Sequence, residues 1–216
     1  MKHLLFIPFL LLAACQSEKA SADETKPETP KEKAAAKNVS VIMKTSKGEV
    51  TIELNAEKAP ITVKNFLTYV DANFYDGTIF HRVMDDFMIQ GGGFTLKDDI
   101  PTEKKNNAPI KNEGQNGLSN SIGTIAMART NDLNSATSQF FINVANNSGS
   151  LDHPSNGGYA VFGKVTAGMD VVNAIKGVNT TTKYMNSLNP NGKVTAAPHP
   201  NNPTTPIKIE SIRRAK

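Results

Sequence analysis

The feature that most constrains the fold is a series of short segments in which apolar residues alternate with polar ones or form brief apolar runs. Residues 39–43 and 50–54 alternate on either side of Ser46-Lys47-Gly48, which predicts a β-hairpin. Six further short strands are predicted, at residues 78–83, 88–91, 123–128, 139–143, 160–165 and 206–212. Because each strand must bury its apolar face against other elements, the series indicates a β-rich domain.

Apolar residues at helical spacing occur in only two places. Residues 60–70 begin with Pro60, which suits a first helical turn, and residues 169–175 end before Gly177. A parallel α/β sheet would need a helix between most of its strands. The pattern therefore predicts a mainly β fold, a closed antiparallel eight-stranded barrel with two short capping helices.

Four long stretches show neither pattern, at residues 95–118, 130–138, 146–158 and 178–205. Loops of this length are usually functional or disordered. The first three flank apolar and arginine-bearing segments, so we predict functional loops there. The last is rich in Asn, Thr and Pro, and for it we predict an irregular, mobile segment.

The N-terminus has the pattern of a targeting signal. A short basic start precedes an apolar run over residues 4–12, which is too short to span a bilayer but suits a signal-peptide core. The run ends in Leu12-Ala13-Ala14-Cys15, which resembles a bacterial lipobox and implies a lipid on Cys15. If the envelope has two membranes, the presence of Gln16 rather than Asp after Cys15 favours the outer one, by resemblance to known sorting. An ordinary secretory signal is the alternative.

The sequence divides into three parts. Residues 1–14 are predicted to be a lipoprotein signal peptide, residues 15–38 the lipidated cysteine and a disordered tether, and residues 39–216 the folded domain. The tether contains no aromatic residue and no apolar periodicity, so burial cannot offset the entropy lost on ordering it. A flexible segment of this length would hold the domain about 25–30 Å from its anchor.

Composition excludes several classes of function. The net charge of +4 is modest, and no stripe of Lys and Arg is interleaved with aromatic residues, so we expect no nucleic-acid binding. A single cysteine excludes an internal disulfide and a cysteine-based zinc site. Asp152, His153 and His199 lack ligand partners at helical spacing, so we expect no metal and no cofactor.

Arg82 lies among large apolar residues. Phe80, Phe87 and Met88 surround it in the sequence, and Gln90 follows closely. An arginine at an apolar site loses hydration, so it is usually kept there to bind something, although its stem can also cover a core while its head reaches water. We expect His81 to face away from Arg82 as a hydrogen-bonding core residue, and the glycines 91–93 to form a tight turn at a barrel corner.

Three segments together resemble a known family. Residues 80–93, 123–143 and 151–165 are similar, in order and spacing, to the signature blocks of the cyclophilin family of peptidyl-prolyl cis-trans isomerases, in its bacterial periplasmic form. The resemblance covers residues 39–212 and includes the first helix and the last strand. It implies a catalytic role for Arg82 and Gln90. It also implies a substrate-binding groove made of Phe87, Met88, Ala128, Gln139, Phe141, Leu151 and Tyr159.

One position departs from the family pattern. Ser150 stands where tryptophan or another aromatic residue is common. The departure implies weaker binding of cyclosporin and a more open edge of the groove.

The implied chemistry needs no nucleophile, metal or proton transfer. Amide resonance opposes rotation of an X–Pro bond with a barrier of about 18–20 kcal/mol, and an arginine N–H directed at the prolyl nitrogen is strongest in the twisted state, where the lone pair is free. We expect a monomeric isomerase, anchored in a bacterial cell envelope through Cys15, that acts on proline-containing peptides and on unfolded envelope proteins. The alternative is a proline-peptide-binding chaperone, adhesin or scaffold module with little turnover.

Overall fold

The first predicted hairpin is present. In the computed structural model, which describes residues 39–189 and 191–215, strands β1 (Val39–Thr45) and β2 (Gly48–Leu54) pair with Val41 opposite Ile52. Alternate residues of both strands are buried, as the sequence pattern predicts. The predicted signal peptide, the predicted lipidation site Cys15 and the predicted tether lie outside the described residues.

Nine further strands follow along the chain. They are β3 (Thr78–Met84), β4 (Met88–Lys97), β5 (Ile100–Glu103), β6 (Thr124–Met127), β7 (Phe140–Asn143), β8 (Val161–Ala167), β9 (Thr180–Leu188), β10 (Val194–Pro203) and β11 (Ile207–Arg214). Strands β4, β3, β11, β1, β2, β8, β6 and β7 pair in that order, and β7 pairs with β4 again. The ring is antiparallel throughout, which confirms the closed eight-stranded barrel.

Both predicted helices are present, together with a short third one. Helix α1 (Pro60–Asp71) places the Phe66 ring within 5.2–5.7 Å, between ring centroids, of Tyr75, Phe140 and Phe162 in the main core. Helix α2 (Ser148–Leu151) lies in a stretch predicted as a loop, and α3 (Met169–Lys176) buries Val172 and Ile175. None of these helices in the described part of the chain is long and apolar enough to cross a membrane.

Residues 178–205 are regular rather than irregular, so that prediction is wrong. Strands β9 and β10 form a hairpin in which Leu188 pairs with Val194. A parallel bridge between Thr102 of β5 and Asn186 joins the hairpin to the barrel sheet. Much of the hairpin is exposed on both faces, so apolar alternation is nearly absent. Pro198, Pro200 and Pro203 lie in β10, which ends the sheet, where a missing N–H is tolerated.

The glycines 91–93 lie inside β4 rather than at a corner, so the predicted tight turn is wrong. Gly92 has φ of 86°, and a Cβ at this position would lie 2.7 Å from the Phe140 ring. The glycine run therefore lets β4 bend closely over the core.

Candidate active site

A second apolar cluster lies on the face of the barrel wall opposite the main core. Ile89 and Ile142 belong to the main core, whereas their strand neighbours Met88 and Phe141 belong to the second cluster. Side chains alternate across a strand, so the second cluster lies on the outer face of the wall. Leu151 is buried in it, and Phe87, Ala128 and Tyr159 pack against it while remaining partly exposed. This cluster is a ready apolar floor for a ligand.

A cavity of about 100 Å³ lies over this floor, and we call it the proline cavity because of the ligand proposed below. Its lining contains every predicted catalytic and substrate-binding residue except Gln139, and it adds Arg129. The lining residues are Arg82, Phe87, Met88, Gln90, Ala128, Arg129, Phe141, Leu151 and Tyr159.

Arg82 is half-buried at the side of the proline cavity. Its Nη2 donates to the Met84 sulfur at 3.2 Å, and its guanidinium carbon lies 5.9 Å from the centroid of the Phe87 ring. None of the ion pairs found in residues 39–189 and 191–215 involves Arg82. Burial lowers the pKa of Arg82, but a guanidinium stays protonated. Because a thioether is a weak acceptor, the strong donors of Arg82 can serve a ligand.

Gln139 joins the site through a hydrogen bond between the two predicted amides. The Nε2 group of Gln90 donates to Oε1 of Gln139 at 3.0 Å. Gly93 makes room for this arrangement, since a Cβ there would lie 2.4 Å from Cγ of Gln139. The Tyr75 hydroxyl donates to the Ser138 carbonyl at 2.9 Å, which anchors the backbone beside Gln139 to the core. The two amides are thus held next to each other at the edge of the cavity.

Comparison with known proteins agrees with this geometry. Residues 40–213 match the family described as cyclophilin type peptidyl-prolyl cis-trans isomerase. The chain belongs to this family. It is 52% identical over 179 residues to a peptidyl-prolyl cis-trans isomerase of Acinetobacter baylyi, covering 83% of this chain and 87% of the relative. It is 47% identical to peptidyl-prolyl cis-trans isomerase A of Dickeya dadantii, covering 85% of this chain and 88% of the relative.

A solved structure supports the same fold. A cyclophilin-type isomerase of Cryptosporidium parvum aligns with a TM-score of 0.63 at 23% identity, over 83% of this chain and 99% of its own. The barrel described above is therefore the cyclophilin barrel.

The sequence prediction missed Arg129 in this cyclophilin site. Its guanidinium carbon lies 4.2 Å from the centroid of the Tyr159 ring, and its N–H groups donate to the carbonyls of Thr130 at 2.9 Å and Gly158 at 3.2 Å. The Tyr159 ring in turn meets Phe141 edge-on, with 5.8 Å between centroids. Arg129 thus holds one wall of the proline cavity. Arg129 directly follows Ala128, a predicted groove residue, and this adjacency could have identified Arg129 from the sequence.

His81 does not face away from Arg82, so that prediction is wrong. The pairing of β3 with β4 shifts between Phe80 and Arg82, which marks a β-bulge. Phe80 and Val83 lie in the main core, whereas His81 and Arg82 both line a second cavity of about 260 Å³. The Nδ1 atom of His81 is fully buried and meets no hydrogen-bond criterion, while the Ile79 backbone and the Gln139 side chain lie close enough to the ring to oppose part of the effect of burial on its pKa. Burial, the largest cause, lowers the pKa of His81 to about 3.

Ser150 and Asp152, which the sequence pattern brought into consideration, both have hydrogen-bond partners in the structure. Ser150 is exposed at the end of α2, donates to the Asn147 carbonyl at 3.2 Å, and does not line the proline cavity. The Asp152 carboxylate accepts the Ser119 hydroxyl and the Asn120 backbone N–H, each at 2.7 Å. Within the described ranges, no group of three His, Cys, Asp or Glu side chains is placed to hold a metal ion.

Proposed function

We propose that the proline cavity accelerates cis-trans rotation of X–Pro bonds, with Arg82 as the catalytic residue. The observation that carries the proposal is a half-buried arginine, without an ion pair in the described chain, beside a cavity whose floor is apolar. Family membership supports the isomerase activity, and the geometry supports these residues as the ones that perform it.

The reaction follows from the properties of the amide. Rotation removes the resonance that gives the bond its barrier of about 18–20 kcal/mol, and the prolyl nitrogen then carries a free lone pair. An N–H of Arg82 directed at that nitrogen binds the twisted state more strongly than the planar one. A charge-assisted hydrogen bond of about 1.5–3 kcal/mol corresponds to about ten- to a hundredfold in rate.

The apolar floor supplies binding. A prolyl ring carries three CH₂ groups, and burying them on Met88, Phe141 and Leu151 is worth about 2 kcal/mol at about 0.8 kcal/mol each. The same floor removes water from the amide and so strengthens the bond to Arg82. Phe87 and Tyr159 close the sides, and Ala128 leaves room for the chain entering the cavity.

The two amides hold the peptide backbone. The bond between Gln90 and Gln139 uses one group of each amide, so the carbonyl of Gln90 and the NH₂ group of Gln139 can pair with an N–H and a C=O of the substrate. Holding the backbone on one side of the proline while the other side turns is the positioning that the reaction requires.

A protease-coupled isomerisation assay tests the assignment. Arg82→Ala in the full chain should lose at least about tenfold in kcat/KM, since one charge-assisted bond is removed. Arg213→Ala is the matched control, because Arg213 pairs with Asp76 on the surface and lies outside the proline cavity. Equal rates for Arg82→Ala and wild type would overturn the catalytic role. Peptide binding without turnover in the wild type would instead indicate a binding module.

We further propose that the isomerase acts outside the cytoplasm, anchored through a lipid on Cys15. The support is the apolar run over residues 4–12 and the Leu12-Ala13-Ala14-Cys15 sequence that follows it. The proposed clients are proline-containing segments of unfolded envelope proteins, with the outer membrane as the location where two membranes exist. Labelled fatty acid should enter the wild-type chain and the control Ser17→Ala, but not Cys15→Ala. Labelling of Cys15→Ala would refute the anchor.

A further inference from the structure

Three buried asparagines and one aspartate form a continuous series of side-chain hydrogen bonds beside the apolar floor, and we call these four residues the asparagine chain. The Nδ2 group of Asn147 donates to Oδ1 of Asn143 at 2.7 Å. Nδ2 of Asn143 donates to Oδ1 of Asn120 at 3.2 Å, and Nδ2 of Asn120 donates to Oδ1 of Asp152 at 2.8 Å. Asn143 lies two residues after Phe141 on β7, so the asparagine chain borders the floor on its outer face.

The asparagine chain reaches two different walls of the proline cavity. Each amide NH₂ has two N–H groups, and the second group of Asn147 donates to the Phe87 carbonyl at 2.8 Å. The second group of Asn120 donates to the Tyr159 carbonyl at 3.3 Å. Phe87 and Tyr159 both line the proline cavity, although they come from segments far apart in the sequence. The asparagine chain therefore connects the backbone of one wall with the backbone of the other.

The backbone bonds at these walls are local. The Phe87 carbonyl also accepts the Val144 N–H at 3.1 Å, and the Tyr159 N–H donates to the Leu151 carbonyl at 2.8 Å. Neither of these two bonds joins the Phe87 wall to the Tyr159 wall. The distance between the walls therefore depends on side chains, and the asparagine chain supplies them.

Every amide of the asparagine chain points in the same direction. The carbonyls of Phe87 and Tyr159 can only accept, so Asn147 and Asn120 must turn their NH₂ groups towards them. The series of donors then ends on the Asp152 carboxylate, which can only accept when it is ionised. Hydrogen bonds in series polarise one another, and an ionised acceptor strengthens the bond that it receives.

Asp152 is held in its ionised form. Burial opposes ionisation of the carboxylate, but hydrogen bonds from the Ser119 hydroxyl and from the backbone and side chain of Asn120 outweigh this effect and lower the pKa of Asp152. Asn143 and Asn120 are fully buried and Asn147 is 7% exposed, so water does not compete freely for the interior bonds. The asparagine chain is thus a rigid connection.

We propose that the asparagine chain positions Phe87 and Tyr159 and so fits the width of the proline cavity to a five-membered ring. Its four members are positioning residues, since none of them lines the cavity. This inference rests on the proposed isomerase function. A cavity of about 100 Å³ with fixed walls should reject a ring that is larger by one CH₂ group, because overfilling a well-packed site is unfavourable. Walls that can move apart should accept the larger ring.

Two peptides that differ in one ring test the proposal with the full chain. One contains proline, and the other contains pipecolic acid, its six-membered homologue, at the same position. NMR exchange measurements give kcat/KM for each peptide after the uncatalysed rate is subtracted. We define the ring-size ratio as kcat/KM for the proline peptide divided by kcat/KM for the pipecolic acid peptide. For the wild type we expect a ratio of at least about ten, within the range for one misfitting methylene group.

Three variants connect this ratio to the asparagine chain. Asn147→Ala removes the bond to the Phe87 carbonyl, and Asp152→Ala removes the acceptor at the other end. Each should lower the ring-size ratio by about three- to tenfold, as for the loss of one hydrogen bond. Asp152→Asn should give an intermediate ratio, since a neutral amide oxygen accepts the same N–H groups more weakly. Asn146→Ala is the matched control, because Asn146 is exposed, accepts the Ser148 N–H and should keep the wild-type ratio.

A double variant tests whether the two ends act through one connection. If they do, Asn147→Ala combined with Asp152→Ala should lower the ring-size ratio about as much as either change alone. Independent effects would multiply instead.

The ring-size ratio separates positioning from loss of structure. It compares two peptides on the same enzyme, so a smaller folded fraction lowers both rates and leaves the ratio unchanged. A wild type that turns over both peptides equally, or variants that keep the wild-type ratio, overturn the proposal and leave the isomerase function standing. If both alanine variants fail to fold, an unchanged ratio in Asp152→Asn overturns it and a lowered ratio supports it. If neither peptide is turned over by the wild type, the proposed function fails and this inference fails with it.

Discussion

At the scale of single residues, the proline cavity depends on contacts so close that a larger side chain at one position would displace its neighbour. Gly93 and Gln139 are the clearest case, because the space that a Cβ of residue 93 would occupy is filled by the Gln139 side chain. The hydrogen bond between Gln139 and Gln90 therefore requires glycine at position 93, because every other residue has a Cβ there.

Gly93→Ala should displace Gln139 and weaken substrate binding. A Cβ would lie 2.4 Å from Cγ of Gln139, so the amide must move away from Gln90. We expect KM to rise about three- to tenfold, as for loss of one backbone hydrogen bond, with a smaller change in kcat. Gly149→Ala is the control, because no atom lies within 4 Å of its Cβ position. An unchanged KM for Gly93→Ala would show that Gln139 does not hold the peptide.

Arg129→Lys should loosen the wall that Tyr159 forms. A lysine cannot reach the Thr130 and Gly158 carbonyls at the same time, and it loses the planar stack on the Tyr159 ring. We expect a loss of about 1–2 kcal/mol in the free energy of unfolding, measured by urea denaturation. Arg213→Lys, at an exposed ion pair, should lose less than about 1 kcal/mol. Equal losses would mean that the stack contributes nothing.

At the scale of elements, the β9–β10 hairpin packs on the outside of the barrel, against β3 and β5. Met185 is its fully buried apolar side chain, packed against Ile79 and Phe94 on the outer face of β3 and β4. The Leu188 N–H bonded to Glu103 is a second attachment. Met185 belongs to a cluster separate from the main core, so we expect the hairpin to separate from the barrel without exposing that core.

Met185→Ala should release the hairpin while the barrel stays folded. Removing a buried methionine costs about 2–5 kcal/mol, and here the loss falls on the contact between the hairpin and the barrel. Hydrogen exchange of β9 and β10 amides should accelerate at least about tenfold, with β1 and β11 amides unchanged. Tyr184→Ala should leave both sets of amides as in the wild type. Uniform acceleration across the chain would show that the hairpin unfolds only with the barrel.

The elements also show what can be predicted from the sequence. β1, β2 and α1 were predicted because one face of each meets the main core and the other meets solvent, which imposes a period on the residues. The two faces of the hairpin do not differ in this way, so no alternation marks its strands. Its content of Asn, Thr and Pro instead indicated an irregular segment. The bulge that places His81 on the same side as Arg82 inserts one residue into β3. The alternation of apolar and polar residues is interrupted there, so the sequence pattern does not reveal the bulge. The residues of the proline cavity were predictable from the family resemblance, whereas the second cavity, lined by His81 and Arg82, depends on the bulge and the hairpin.

At the scale of the whole molecule, burial of His81 links global stability to pH. Its folded pKa of about 3 lies below the ordinary value of 6.5, so between these values the unfolded chain binds more protons than the folded one. Stability conferred by the neutral imidazole is therefore complete above pH 6.5 and is lost as the pH falls from 6.5 towards 3.

The free energy of unfolding should fall by about 2–3 kcal/mol between pH 6.5 and about 4.5, at about 1.4 kcal/mol per pH unit. Hydrogen bonds from Arg214 and Arg213 lower the pKa of Asp71 and Asp76, so their contribution is lost only in more acidic solution. Urea denaturation at several pH values measures the slope. His81→Phe should flatten it, whereas exposed His153→Gln should not. A flat wild-type curve would contradict the burial of a neutral His81.

The closed ring of strands also determines how long a substrate can stay. Both strands that carry the floor, β4 and β7, are paired along each side, β4 with β3 and β7, and β7 with β4 and β6. Their backbone groups are already committed, so a peptide cannot be captured as an added strand. On these two strands only side chains are left to contact a peptide, through the apolar floor and a few polar groups. Under the proposed function, a floor closed in this way favours short residence of many different peptides over tight retention of one.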